Sequence, residues 1–180
     1  MTQLVWLITG CTSGSGLTLA HAIVARGDKV IATGRGASSR LAFVQASSPE
    51  NITLLDLDVT SALPEIQSIV NKAFSVHGRI DVLVNNAGRS GMSTLEEGSE
   101  EFVKNIFDIN VFGAMKVTQA VLPYMRAAKK GTVSFIGAGL GWVAMPFLTH
   151  YSVSKAALTS RFAASPLPRL SMLPNVCCSS

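Results

Sequence analysis

Leu4-Val5-Trp6-Leu7-Ile8-Thr9-Gly10-Cys11-Thr12-Ser13-Gly14-Ser15-Gly16-Leu17 joins a short apolar run to a glycine-rich turn and then to a segment of helical period. The run has the length of a strand, carries no basic flank and stops before Gly10. It is too short for a signal peptide and far from the roughly 18 uninterrupted apolar residues of a membrane span. Glycines in the turn permit a tight bend and close backbone approach, while the open N–H groups at the start of the helix favour a phosphate. A plain strand-to-helix turn remains a rival for these residues taken alone. The strand before and the helix after are what raise the turn to a candidate site.

The same alternation continues outward. Short apolar runs at 4–8, 29–33, 52–57, 80–84 and 132–136 predict strands, and segments of helical period fall at 14–26, 37–46, 61–77, 99–129 and 150–164, with a break near Asn110. Successive βα units of this kind predict a doubly wound parallel α/β sheet with helices on both faces. With 180 residues, 48% hydrophobic and 14% charged, the chain can build one core, and its composition excludes disorder. The net charge of +4 comes from 15 basic residues spread along the chain, with Lys129-Lys130 the tight doublet. That is a poor nucleic-acid footprint, although it attracts anionic ligands. Cys11, Cys177 and Cys178 have neither disulfide-framework nor metal-ligand spacing and read as free thiols, and His21, His77 and His150 are scattered, so no metal site is expected. A cytoplasmic location is the expectation.

Further motifs lie at strand ends. Ala32-Thr33-Gly34-Arg35 lacks the carboxylate that would grip a ribose 2′-OH, and Arg35 offers a bidentate partner for a 2′-phosphate, or is a solvated surface arginine. Asp58, followed by Val59, sits at a strand's carboxyl end, where α/β ligands bind; capping the next helix is the alternative. Asn85-Asn86-Ala87-Gly88 suits a backbone passing close to a ligand, or a simple turn. In Tyr151-Ser152-Val153-Ser154-Lys155 the i,i+4 spacing places a phenol and an ammonium on one helix face. A nearby Lys⁺ lowers a tyrosine's pKa toward the range that proton transfer requires.

In order and spacing, these motifs resemble the short-chain dehydrogenase/reductase family over residues 4–158. The family's TGxxxGxG turn corresponds to Thr9 through Gly16, its acidic adenine contact to Asp58, its NNAG to Asn85 through Gly88, its relay asparagine to Asn110 and its YxxxK to Tyr151 and Lys155. The resemblance implies a Rossmann-type sheet of order 3-2-1-4-5 and hydride transfer between a carbonyl and an alcohol with a nicotinamide cofactor. Tyr151 would be the general acid/base, Lys155 would lower its pKa and hold the nicotinamide ribose, and Asn110 would anchor a relay water. Gly10, Ser13, Gly14, Gly16 and Leu17 would surround the pyrophosphate, Asp58 and Val59 the adenine, and Asn86, Ala87 and Gly88 the adjoining ribose. Thr33-Gly34-Arg35 is similar to members that prefer NADP(H). The apolar residues Trp142, Val143, Met145, Phe147 and Leu148 point to a lipophilic ketone or secondary alcohol, with simple packing as the alternative. Apolar residues across 95–125 would help form a homodimer's helix bundle, or pack on the chain's own sheet.

Two departures stand out. The position of the family's catalytic serine holds Ala138, and loss of a comparable oxyanion donor costs on the order of 10²–10³ in rate, or ~2.7–4 kcal/mol. Ser134 lies too early to substitute, whereas Thr149 or a backbone N–H is a candidate donor. After the dinucleotide-binding domain of residues 1–164, the stretch 165–180 contains Pro166, Pro168 and Pro174 and shows no period. It reads as an irregular tail in place of the family's last strands, leaving the domain incomplete and the fifth strand an exposed edge. The rival reading is therefore a catalytically impaired nicotinamide- or partner-binding remnant.

Overall fold

Side chains of the central strands are apolar on both faces, so each strand must be covered twice. The structure, a computed structural model, describes residues 3–143, 145–163 and 170–173. Its sheet is parallel throughout, with order β3-β2-β1-β4-β5-β6. The strands are β1 (Val5–Ile8), β2 (Lys29–Gly34), β3 (Ile52–Asp56), β4 (Val82–Asn85), β5 (Thr132–Ile136) and β6 (Leu170–Leu173). The helices are α1 (Gly14–Ala25), α2 (Ala37–Arg40), α3 (Ala42–Ser47), α4 (Leu63–His77), α5 (Glu100–Phe107), α6 (Ala114–Ala127) and α7 (Thr149–Ala163).

The period of two along each strand sorts the core into two layers. Leu7, Ile31, Leu83 and Phe135 meet Ile66 and Val70 of α4 and Val117 and Val121 of α6. Ile8, Val30, Ala32 and Val84 meet Ala20 and Ile23 of α1 and Val44 of α3. Each fully buried aliphatic side chain contributes about 1.5–3 kcal/mol, so a register slip that exchanged the faces would cost many such terms at once. Register places Ile8 beside Ala32 on one side and Val84 on the other. The chain leaves β1 toward β2 and enters β4 on the opposite side, and this reversal of strand order opens a crevice at the carboxyl ends of β1 and β4.

The order 3-2-1-4-5 is as the sequence predicts, and the structure adds one strand. β6 falls within the stretch expected to be irregular and pairs with β5, Phe135 opposite Met172, so β5 is not the sheet's edge. The four residues of this strand are too few to show a period; pairing with a neighbour defines it, not its pattern. Residues 164–169 and 174–180, with Cys177 and Cys178, lie outside the described residues. The helix expected over 37–46 is two short helices that meet at Leu41, whose side chain is buried in the core. The break expected near Asn110 is a π-helical segment, Asp108–Gly113, between α5 and α6. Such wide turns interrupt the i→i−4 ladder and occur often at functional sites.

Candidate active site

An open cleft of about 430 Å³ lies over the carboxyl ends of β1, β2 and β4. Its floor is the glycine turn. Gly10 has φ +71°, and a Cβ there would stand 2.8 Å from the Cα of Ala87; a Cβ on Gly16 would collide with the Gly10 carbonyl and the Asn86 amide. Both positions therefore require glycine, because two backbones and a helix start converge there. Thr9, buried beneath the turn, accepts N–H bonds from Asn86 (3.0 Å) and Ala87 (2.9 Å) on its Oγ1. Asn86 Nδ2 donates back to the carbonyls of Thr9 (2.8 Å) and Gly10 (3.0 Å). The loops after β1 and β4 are thus laced together before any ligand arrives.

Ser13, Ser15 and Gly16 present the beginning of α1 to the cleft. Gly14 is the first residue of that helix, and Leu17 turns onto the core layer beneath it. Cys11 is free and buried, its thiol pushed up to about 12 by burial against a smaller lowering effect from the Thr33 backbone, so it is chemically quiet. At one end of the cleft stand Arg35, Asp58 and Val59. Burial alone would raise the Asp58 carboxyl, yet the Thr60 N–H (2.9 Å) and hydroxyl (2.7 Å), with Arg35 and Lys116, hold it below the usual carboxylate range. These bonds close a local turn, and α4 begins later, at Leu63, so Asp58 does not cap that helix.

At the other end, Gly88 joins the cleft to three further residues. A Cβ on Gly88 would lie 3.4 Å from Asn110 Oδ1 and 3.6 Å from Lys155 Nζ. Asn110, buried in the π segment, accepts from Arg89 N–H (2.8 Å) and donates to the Arg89 carbonyl (2.9 Å) and to Ser154 Oγ (3.0 Å). Ser154 in turn donates to the carbonyl of Tyr151 (2.7 Å). Lys155 is buried, donates from Nζ to the Ile136 carbonyl (2.8 Å) and lies 5.8 Å from the Tyr151 ring centroid. Burial lowers its pKa to about 8, which leaves it mostly protonated at pH 7.

Ala138 is buried in extended backbone directly before a 3₁₀ turn, Gly139–Gly141. A Cβ on Gly141 would come within 3.2 Å of the α7 backbone at Lys155 and Ala156, so this turn rests on the helix that carries the Tyr/Lys pair. Beyond it, Trp142, Val143, Met145 and Phe147 are exposed, as are Met92 and Leu95 on a second loop. The two loops meet at a Ser93–Leu148 bridge.

The structure thus brings Gly10, Ser13, Gly16, Arg35, Asp58, Val59, Asn86, Ala87 and Gly88 to one cleft and sets Asn110, Tyr151 and Lys155 at its Gly88 end. Sequence reasoning placed Thr9 in the glycine turn without giving it a role, and missed Arg89 and Ser154. Ser154 could have been noticed, since i and i+3 share a helix face with Tyr151; nothing local marks the Arg89 clamp. Among the described residues no His/Cys/Asp/Glu group could hold a metal ion, and no helix is long and apolar enough to cross a membrane.

Residues 4–165 match the short chain dehydrogenase family, and the chain belongs to it. It is 36% identical over 152 residues to the 3-ketodihydrosphingosine reductase of Bacteroides thetaiotaomicron, which covers 84% of this chain and 53% of that protein. A short-chain dehydrogenase from Streptomyces avermitilis superposes with a TM-score of 0.87 at 36% identity, over 96% of this chain and 65% of that one. ElxO with NADP bound superposes with a TM-score of 0.83 at 28% identity, over 89% of this chain and 65% of that one. The chain spans about half the length of the curated relatives it matches.

Proposed function

We propose that the protein is an NADP(H)-dependent oxidoreductase that interconverts a lipophilic ketone and a secondary alcohol. The observation that carries this reading is the junction at Gly88, where a cleft floored by a glycine turn and a helix N-terminus meets Lys155 and Asn110, with Tyr151 one helical turn away. The donor set fits a dinucleotide: amides at the start of α1 suit a pyrophosphate and Arg35 a 2′-phosphate, while Gly10 and Gly16 let the turn pack against Asn86 and Ala87 so that both loops line one cleft. When bound, the cofactor donates or accepts the hydride.

The chain's own residues would handle binding and the proton. Tyr151 protonates the developing alkoxide in reduction and takes the proton back in oxidation. Lys155, still cationic at pH 7, favours the phenolate and so keeps that tyrosine active as a base. Both Nδ2 hydrogens of Asn110 are spent on the Arg89 carbonyl and Ser154 Oγ, so any relay water it anchors would be held by an acceptor, its main-chain carbonyl or the remaining lone pair of Oδ1. Preference for NADP(H) is supported by Arg35, by the lack of an acidic residue at the end of β2 and by the likeness to NADP-bound ElxO. The apolar loops flanking the site, and a relative named for a keto lipid, support a lipophilic substrate. Exposed Phe112 and Val153 support pairing with a second copy, which sedimentation would detect.

The experiment is NADPH oxidation with a panel of apolar ketones. Wild type should turn over at least one, and Tyr151→Phe should lose about 10²–10⁴ in rate with NADPH affinity unchanged. No turnover across the panel contradicts the reading. A second reading, a nicotinamide-binding member with impaired catalysis, is favoured by the methyl of Ala138 where a hydroxyl is expected. Ala138→Ser separates the two: a rise of about 10²-fold in kcat marks a working substrate site held back by one missing donor.

A further inference from the structure

Resting on the cofactor reading above, we propose that Arg89 is a further cofactor-binding residue, its guanidinium contacting the pyrophosphate from the β4 side of the cleft. Three side chains lining the cleft carry charge: Arg35, Asp58 and Arg89. Against the effect of burial, Asp58 is held ionised chiefly by the Thr60 N–H and hydroxyl, with Arg35 and Lys116 contributing, and its carboxylate opposes an anion at the Arg35 end. Arg89 pairs with no carboxylate among the described residues, and with Lys155 at the Gly88 end it adds positive charge to a cleft whose glycine turn offers a pyrophosphate dianion only neutral N–H groups.

The geometry prepares Arg89 for this task. Both of its main-chain polar groups are fixed by the Asn110 side chain, at 2.8 and 2.9 Å, directly after Gly88. Its Nη1 donates to Asn105 Oδ1 of α5 at 3.3 Å, an uncharged acceptor that orients the fork without neutralising it. A guanidinium has five donors, so most remain for phosphate oxygens. The same clamp gives Asn110 a second effect: it couples the Tyr151 helix, through Ser154, to a residue that would sense the cofactor.

NADPH and NADH share the pyrophosphate and differ in the 2′-phosphate, which makes them the discriminating probes. Binding is titrated by cofactor fluorescence for wild type, Arg89→Ala, Arg89→Lys and Arg35→Ala at low and high salt. Arg89→Ala should weaken both cofactors by about ten-fold, with a shallower salt dependence, while Arg35→Ala weakens NADPH selectively. Arg89→Lys should retain part of the affinity, because the charge stays and the fork is lost. An unchanged cofactor-free melting point for Arg89→Ala would show that the loss is in binding. Equal affinities in wild type and both Arg89 variants overturn the proposal, as does a loss confined to NADPH. Wild type that binds neither cofactor overturns the reading on which it rests.

Discussion

Around the glycine turn the polar groups are tied to one another, Thr9 to Asn86 and Ala87, Asn86 to Thr9 and Gly10, whereas the loops at the far end of the site present Trp142, Met145, Phe147 and Met92 to solvent. One end of the cleft is built by hydrogen bonds among half-buried groups above the buried Thr9 and has its shape before a ligand arrives. The other is an apolar surface whose loops meet at the Ser93–Leu148 bridge. Preorganised dipoles suit a ligand of fixed chemistry, such as a dinucleotide, while apolar loops suit a partner recognised mainly by shape and burial. Cofactor recognition is therefore expected to be sensitive to single atoms, and substrate recognition to be graded.

The largest break in that contrast should come from Gly10→Ala. The added methyl meets backbone at Ala87 and sits on a residue with φ +71°, so the cost is more than about 3 kcal/mol and cofactor-induced stabilisation disappears; denaturant unfolding with and without NADPH reads both. A pH effect of up to about 3 kcal/mol should follow from Lys155, whose pKa falls from 10.5 to about 8 through burial. Below pH 8 both states carry the proton and the folded state bears the burial cost. Between about pH 8 and 10.5 the unfolded state binds more protons, so cofactor-free stability rises with pH, and Lys155→Met should abolish the rise. Thr9→Val removes the acceptor of the Ala87 N–H and one of the two acceptors of the Asn86 N–H, and should cost about 1–3 kcal/mol while loosening cofactor binding. At the opposite end, Trp142→Ser should change stability by no more than about 0.5 kcal/mol, because that ring is 77% exposed; its effect should be a raised KM for apolar ketones.

What could be read in advance follows the same division between local and non-local signals. The first five strands, the glycine turn and the break at Asn110 are written in neighbouring residues, through period, glycine spacing and the end of a helical pattern. β6 is not, because Leu170–Leu173 becomes a strand only by meeting β5. Nor is the fate of the Asn110 amide, which is spent on Arg89, 21 positions away, and on Ser154, 44 positions away. Asn86 shows the mixture: its place beside the cleft is legible from Asn85 to Gly88, but the lacing of its amide to Thr9 and Gly10 depends on two strands lying side by side. Leu41 divides an expected helix for a similar reason, since a core contact outweighs helical propensity there.

The central claim is that the densely bonded end of the cleft is a folded site for NADP(H). Thermal unfolding of the 180-residue chain, alone and with saturating NADPH or NADH, tests it most directly. Binding to the folded state at a hundred times the dissociation constant contributes ~2.7 kcal/mol, a midpoint shift of roughly 5–10 °C for a chain of this size. The account predicts that shift with NADPH and a clearly smaller one with NADH at the same concentration. A cooperative transition that neither cofactor moves, or one that NADH moves further, would contradict it.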